Sequence, residues 1–185
     1  MSDDAHRIVV LDRDGVINYD SDEYIKSPSE WHPIPGSLQA IADFCAAGYE
    51  VFVVTNQSGL ARGLFTLATL EAINERMRVA VETHGGSLAG IYYCPHAPND
   101  GCECRKPKPG LLRQIESEHG LSLSGQVFVG DKCSDVQAAM AVNARPIIVR
   151  TGHGERTLAD CPAPAPAAFD NLAAVAEAIL RSEEQ

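Results

Sequence analysis

Arg7-Ile8-Val9-Val10-Leu11-Asp12-Arg13-Asp14-Gly15-Val16 is the stretch that decides the fold. Its apolar run reads as a buried strand. Asp12 and Asp14 follow at its C-terminal tip, where open α/β sheets place their chemistry. In an extended chain two residues one apart project the same way, and Gly15 lets the backbone turn off sharply. Two like charges this close call for a cation or a proton. Taken alone, the segment reads equally well as a strand followed by a solvated, Asp-rich turn.

Working outward, further apolar runs predict strands at Glu50–Thr55, Gly90–Cys94, Gln126–Gly130 and Pro146–Arg150. Helical spacing lies between them. Leu38, Ile41, Ala42 and Cys45 share one face, which makes Cys45 a core residue, and Leu70, Ile73, Met77 and Val81 share another behind a Thr66 cap. Leu111, Leu112 and Ile115 mark a third helix ending near Gly120. Val136, Ala139 and Met140 mark a fourth, with Ser134 or nearby polar residues at its start. Leu172, Val175 and Ile179 mark a last one, capped by Asp170. Alternating strands and helices predict a mostly parallel sheet covered on both faces. Cys161-Pro162-Ala163-Pro164-Ala165-Pro166 reads as a stiff connector. The stretch from Asp20 to Pro35 has no periodicity and three prolines, so it reads as a flap beside the carboxylate pair.

A length of 185 residues suits one domain spanning 1–185, and 45% hydrophobic with 22% charged residues is ordinary for a soluble protein. No run approaches the roughly 20 apolar residues of a membrane span. The acidic start Met1-Ser2-Asp3-Asp4 is unlike a signal peptide, so a cytoplasmic protein is expected. A net charge of −10 argues against nucleic acid as a partner. A small phosphorylated substrate remains compatible with it, through a few local cations. A monomer without nucleic-acid or membrane partners is the expected state.

Four strand ends carry complementary polar groups. They are Asp12 and Asp14; Thr55-Asn56-Gln57-Ser58-Gly59; Arg105-Lys106-Pro107, reached through a Cys/His-rich loop; and Gly130-Asp131-Lys132, with Asp135 beyond. A parallel sheet gathers such tips on one edge. Together they suit phosphoryl transfer. One carboxylate attacks phosphorus, and a hard divalent ion such as Mg²⁺ bridges carboxylates to phosphate. A hydroxyl and an ammonium stabilise the phosphoryl oxygens, while a second carboxylate moves the protons. Singly, each residue has a plainer reading: Thr55 as a strand end, Lys106 as a solvated lysine, Asp131 as a turn residue, Asp135 as a helix-start carboxylate.

The order Asp12-x-Asp14-Gly15, Thr55-Asn56-Gln57, Arg105-Lys106-Pro107 and Gly130-Asp131-x-x-x-Asp135 resembles the haloacid dehalogenase superfamily of phosphatases, from Ile8 to about Thr151. The resemblance implies a Rossmann-like α/β/α sandwich with no large cap domain. It implies Asp12 as nucleophile and Asp14 as acid/base, with the Asp14 carbonyl on Mg²⁺. Thr55 and Lys106 would hold the phosphoryl group, Asp131 would complete the Mg²⁺ ligands, and Lys132 would contact substrate.

Cys94-Pro95-His96 and Cys102-Glu103-Cys104 form C-x-H-x5-C-x-C. Three thiolates and an imidazole suit a closed, structural, tetrahedral Zn²⁺ site; the alternative is a loop of free cysteines. Arg105 and Lys106 follow without a gap, so a metal cross-link here would fix them over the site. Cys133 has no base beside it and Cys161 no visible role.

Within the superfamily, Ser58, Ala61-Arg62-Gly63 and Ile91-Tyr92-Tyr93-Cys94-Pro95-His96 resemble the D-glycero-D-manno-heptose 1,7-bisphosphate 7-phosphatase group more than its histidinol-phosphate relatives. That likeness implies removal of the 7-phosphate, with the β-anomer favoured, during nucleotide-activated heptose synthesis. The second phosphate would meet the planar fork of Arg105. Sugar hydroxyls would meet Asp20, Ser21, Asp22 and Glu23 on the flap, with Asn56, Gln57 and Ser58 opposite. The competing readings are a histidinol-phosphate phosphatase, a DNA-end 3′-phosphatase, and a non-catalytic phosphosugar-binding module.

Overall fold

The computed structural model describes residues 6–160 and 166–183. Its strands are β1 (Ile8–Leu11), β2 (Glu50–Asn56), β3 (Gly90–Cys94), β4 (Val127–Gly130), β5 (Arg145–Val149) and β6 (Ala167–Phe169). Its helices are α1 (Ser37–Ala46), α2 (Leu67–Thr83), α3 (Gly110–His119), α4 (Cys133–Met140), α5 (Gly154–Asp160) and α6 (Leu172–Glu183), with a 3₁₀ turn at Pro28–Glu30. The strands form one sheet in the order β3-β2-β1-β4-β5-β6, with every pairing parallel. This is the Rossmann-like α/β fold expected.

The period-two alternation of strand residues sends side chains to two separate cores. Val9, Leu11, Val51 and Val53 pack with Ile41, Phe44, Ile73, Met77, Leu172 and Val175, beneath α1, α2 and α6. Ile8, Val10, Phe52 and Val54 pack with Leu112, Ile115, Phe128 and Ala139, beneath α3 and α4. Strand order reverses between β1 and β4. Connections there leave toward opposite faces and open a crevice at the carboxyl ends. Asp12 and Asp131 stand on its two sides, and β2 brings Thr55 alongside.

The segment from Gly15 to Gly36 is anchored at both ends. Gly15 turns at φ +89°, Tyr19 N–H donates to the His32 carbonyl at 3.0 Å, and Ile34 N–H to the Ile17 carbonyl at 2.9 Å. Ile25, Trp31 and Ile34 are buried, so the flap is rooted in the α1/α2/α6 core.

α4 starts at Cys133, and the polar residue at its start is Lys132, its N-cap. Several other local expectations need correction. Asn171, rather than Asp170, caps α6, its Oδ1 accepting from Ala174 N–H at 3.0 Å, while Asp170 lies 3.6 Å from Arg150 Nε. Cys45 sits at the core's edge, its thiol 3.3 Å from the Ser87 carbonyl. β6 and α5 went unanticipated. A strand of Ala-Ala-Phe is too short to show a period, and Gly-Glu-Arg-Thr-Leu-Ala-Asp has no apolar stripe. Cys161 through Ala165 of the expected connector, and Met1 through Asp4, lie outside the described residues.

Candidate active site

Lys106 is buried at the centre of the crevice. Its Nζ lies 2.9 Å from Asp12 Oδ1 and 2.7 Å from Asp135 Oδ1, and donates to the Val54 carbonyl at 2.8 Å. Three acceptors match the three protons of an ammonium. Burial alone would lower its pKa, but Asp12 and Asp135 outweigh that and hold it above its ordinary value.

Asp12 is also buried, and its Oδ1 accepts the Arg13 N–H at 2.8 Å. Burial pushes its carboxyl up to about 6 against the pull of Lys106. Asp131 lies deeper. Burial, reinforced by the Asp12 charge, pushes it up to about 8. Its Oδ2 accepts the His153 N–H at 2.8 Å, whereas its Oδ1 is buried without a hydrogen-bond partner. Gly15 and Gly152, both at positive φ, close on this carboxylate so tightly that a Cβ on either would collide with Oδ2. Asp135 accepts the N–H groups of Asp131 and Lys132 through Oδ2 at 3.2 and 3.0 Å, which caps α4. Asp12, Asp131 and Asp135 each place an oxygen within a 4.8 Å cluster. Three crowded carboxylates with one orphaned oxygen fit a hard, oxygen-seeking cation.

Asp14 is surrounded by donors. Arg13 Nε and Nη2 approach Oδ1 and Oδ2 at 3.0 Å each, Asn18 Nδ2 adds Oδ1 at 2.9 Å, and Gln57 Nε2 adds Oδ2 at 2.9 Å. Burial alone would raise the pKa of Asp14, but Arg13 and these donors hold it below the usual carboxylate value.

Thr55 Oγ1 accepts from Gln57 Nε2 at 2.9 Å, which leaves its own O–H to donate into the cavity it shares with Asp12 and Lys106. Asn56 pairs with the Lys106 peptide in both directions, at 3.1 Å each. Both amides were expected on substrate; the structure places them on Lys106 and on Asp14 and Thr55, at the cleft wall.

A cleft of about 300 Å³ adjoins this centre. Asp14, Asp20, Ser21, Asn56, Gln57, Ser58, Arg105, Lys106 and Lys132 line it, together with Tyr24, Ile25 and Ser134, which sequence reasoning did not assign. Lys132 Nζ lies 2.9 Å from Asp20 Oδ2, which also meets His153 Nε2 at 3.1 Å. Arg105 donates through Nη1 to the His96 carbonyl at 3.3 Å. Two expected flap residues fall elsewhere. Asp22 lines a neighbouring groove with Tyr19 and His153, and Glu23 points into solvent, 3.9 Å from Lys26 Nζ. The reason is the turn at Ser21–Tyr24, closed by Tyr24 N–H on the Ser21 carbonyl and left through Tyr24 at φ +65°.

The Cys/His loop closes on itself. Cys94 Sγ lies 3.6 Å from both His96 Nδ1 and Cys102 Sγ, and Cys104 Sγ lies 3.3 Å from Cys94 Sγ and 3.2 Å from His96 Nδ1. Tetrahedral zinc with bonds of about 2.0–2.3 Å would set its donors roughly 3.5–3.8 Å apart, close to what is seen. Burial pushes the Cys94 thiol up to about 12, so a thiolate there needs a cation beside it.

Residues 103–175 match the HAD-hydrolase-like family model. A crystal structure of D,D-heptose 1,7-bisphosphate phosphatase from Bordetella bronchiseptica, complexed with magnesium and phosphate, superposes with a TM-score of 0.91. It is 48% identical and covers 95% of this chain and 99% of that one. The D-glycero-β-D-manno-heptose-1,7-bisphosphate 7-phosphatase of Pseudomonas aeruginosa is 55% identical over 177 residues, 96% of this chain and 99% of that protein. The chain belongs to the D,D-heptose 1,7-bisphosphate phosphatase family of HAD hydrolases. Its likeness to a second relative of the family, from Pseudomonas putida, is 53% over 174 residues, 94% of this chain and 99% of that protein. Both likenesses extend over nearly the whole chain. Among the described residues of this family member, no helix is long and apolar enough to cross a membrane.

Proposed function

We propose that this chain is a magnesium-dependent phosphatase that removes the 7-phosphate of D-glycero-β-D-manno-heptose 1,7-bisphosphate through a phosphorylated Asp12. The observation that carries this reading is the buried Asp12–Lys106 pair at 2.9 Å, beside the orphaned Asp131 oxygen at the crevice of the sheet. Arg13 and its other donors favour Asp14 as a carboxylate, so Asp14 first takes a proton from the solvent of the cleft. Asp12 then attacks phosphorus while the bond to the sugar oxygen breaks, and Asp14 passes that proton to the leaving oxygen. Asp14 then takes a proton from water, which attacks phosphorus and releases Asp12 and phosphate. Lys106 and the Thr55 hydroxyl donate to the phosphoryl oxygens throughout. Magnesium, when bound, supplies positive charge against the phosphoryl oxygens, with Asp12, the Asp14 carbonyl and Asp131 as its protein ligands.

Arg105 and Lys132 suit the 1-phosphate, because both line the cleft next to the centre. Asp20, Ser21 and Ser58 suit the sugar hydroxyls. Zinc on Cys94, His96, Cys102 and Cys104 has a structural role, and thiols kept as ligands suit a reducing cytoplasm. A monomer is the state proposed for the chain.

The test is phosphate release followed by ³¹P NMR on both anomers of the bisphosphate and on histidinol phosphate. The expected outcome is loss of the 7-phosphate signal, faster for the β-anomer, with histidinol phosphate at least about 100-fold poorer in kcat/KM. Preferred turnover of histidinol phosphate would overturn the reading.

Metal binding carries its own pH signature. In metal-free protein Asp12 and Asp131 keep their protons to about 6 and about 8, whereas an unfolded chain loses them near about 3.9. The folded form then binds more protons, so its stability falls as pH rises from about 4 through 8. Magnesium must displace those protons, so it binds better as pH rises. We expect the increase in Tm on adding Mg²⁺ to grow between about pH 6 and 8.5, with proton release seen by calorimetry in buffers of different ionisation enthalpy. A metal-induced shift independent of pH would contradict this.

Stripping zinc while Mg²⁺ stays saturating should lower kcat roughly 10-fold or more, because Arg105 and Lys106 follow the last ligand directly. Full turnover by a sample verified as zinc-free would contradict the role given to the loop.

A further inference from the structure

Arg13 is a fully charged side chain, 1% exposed, set between the two carboxylates of the mechanism, and no step above employs it. An arginine at a strand tip ordinarily reaches solvent or a substrate phosphate. Arg13 does neither: it is absent from the walls of the cleft and of the cavity around Asp12 and Lys106. Its Nε and Nη2 instead grip both oxygens of Asp14 at 3.0 Å, and its Nη1 reaches back 3.4 Å to Asn74 Oδ1 on α2, a residue itself buried. Gln57 links the same carboxylate to Thr55, with 2.9 Å to each. A two-pronged pair fixes the plane of a carboxylate as well as its distance, which a lysine cannot do.

We propose that Arg13 is a positioning residue for proton transfer: its fork, backed by Asn74 and joined by Asn18 and Gln57, holds Asp14 at one place on the cleft wall. The proposal rests on the reading of Asp14 as the acid. In the first half-reaction the bond from phosphorus to the leaving oxygen breaks, and its electron pair stays on oxygen. The proton that Asp14 has taken from the solvent of the cleft passes to that oxygen, and the carboxylate left behind settles back into the fork. A sugar alkoxide needs that proton, whereas 4-nitrophenolate is a stable anion and leaves without it. Misplacing Asp14 therefore penalises an alkyl ester selectively.

The test is the first-turnover rate of Mg²⁺-loaded protein with heptose bisphosphate and with 4-nitrophenyl phosphate, for wild type, Arg13→Lys, Arg13→Met and Asp14→Asn. We expect Arg13→Met to lose about 100-fold and Arg13→Lys about 10-fold on the sugar ester. The loss on the aryl ester should be at least about tenfold smaller for Arg13→Met and clearly smaller for Arg13→Lys, with the same split in Asp14→Asn. Equal losses on both esters in the Arg13 variants, or none, would overturn the proposal while a split in Asp14→Asn left the acid assignment standing. Equal losses in Asp14→Asn would overturn both. If Arg13→Met does not fold, Arg13→Lys, which keeps the charge and loses the fork, decides the matter.

Discussion

Asp12→Asn should lower kcat by roughly 10⁴-fold or more and leave the fold in place. The amide keeps the carboxylate's shape, and its oxygen can still accept from the Arg13 N–H and from Lys106, the two groups now on Oδ1. What disappears is the nucleophile. Stability should hold or rise slightly, because burial pushes the Asp12 carboxyl up to about 6, so its charge is costly where it stands. Steady-state kinetics beside a thermal melt check both halves. Retention of a tenth of wild-type kcat, or collapse of the fold, would contradict the role assigned.

Lys106→Ala carries the second large effect and works differently. Its ammonium sits against Asp12, Asp135 and the Val54 carbonyl. Removing it leaves two carboxylates, both nearly fully buried, without their counter-ion. Breaking a buried pair from one side costs about 3–5 kcal/mol, and the loss should deepen as pH rises and Asp12, whose carboxyl burial pushes up to about 6, ionises. Catalytically, a donor aimed at charge that develops on the phosphoryl group is worth about 10²–10³ in kcat. Hence kcat should fall much more than KM rises. Denaturant melts and substrate-saturation curves measure the two effects; normal kcat in a folded variant would show that Lys106 holds the crevice together without serving the reaction.

The catalytic centre was legible in the sequence because a parallel sheet delivers the ends of its strands to one edge. Four apolar runs, each ending in polar residues, are enough to bring Asp12, Thr55 and Asp131 together. Lys106 arrives by a longer route, through the Cys/His loop, and ends within 2.9 Å of Asp12. The flap was less legible. It has no period, so nothing in its residue types says that Ser21 faces the cleft while Glu23 faces solvent. The amides of Asn56 and Gln57 posed another difficulty. Each both donates and accepts, so composition cannot separate a substrate contact from the contacts seen here, to the Lys106 peptide and to Asp14 with Thr55. Asp135 was readable as a helix-start carboxylate, which its bonds to two N–H groups show it to be, but the reach of its other oxygen to Lys106 depends on packing. Arg13 was hidden by strand alternation, which places it opposite Asp12 and Asp14. The chain leaves the sheet after Leu11, and only that departure lets the guanidinium fold back onto Asp14.

Whether phosphate is ever carried on Asp12 is decided by the stereochemical course at phosphorus. With a heptose bisphosphate made chiral at the 7-phosphate by oxygen isotopes and a sulfur, attack by Asp12 followed by attack of water inverts the centre twice. Net retention in the released thiophosphate is the expected result. Net inversion would mean that water displaces the sugar directly, with no phosphate ever carried on Asp12.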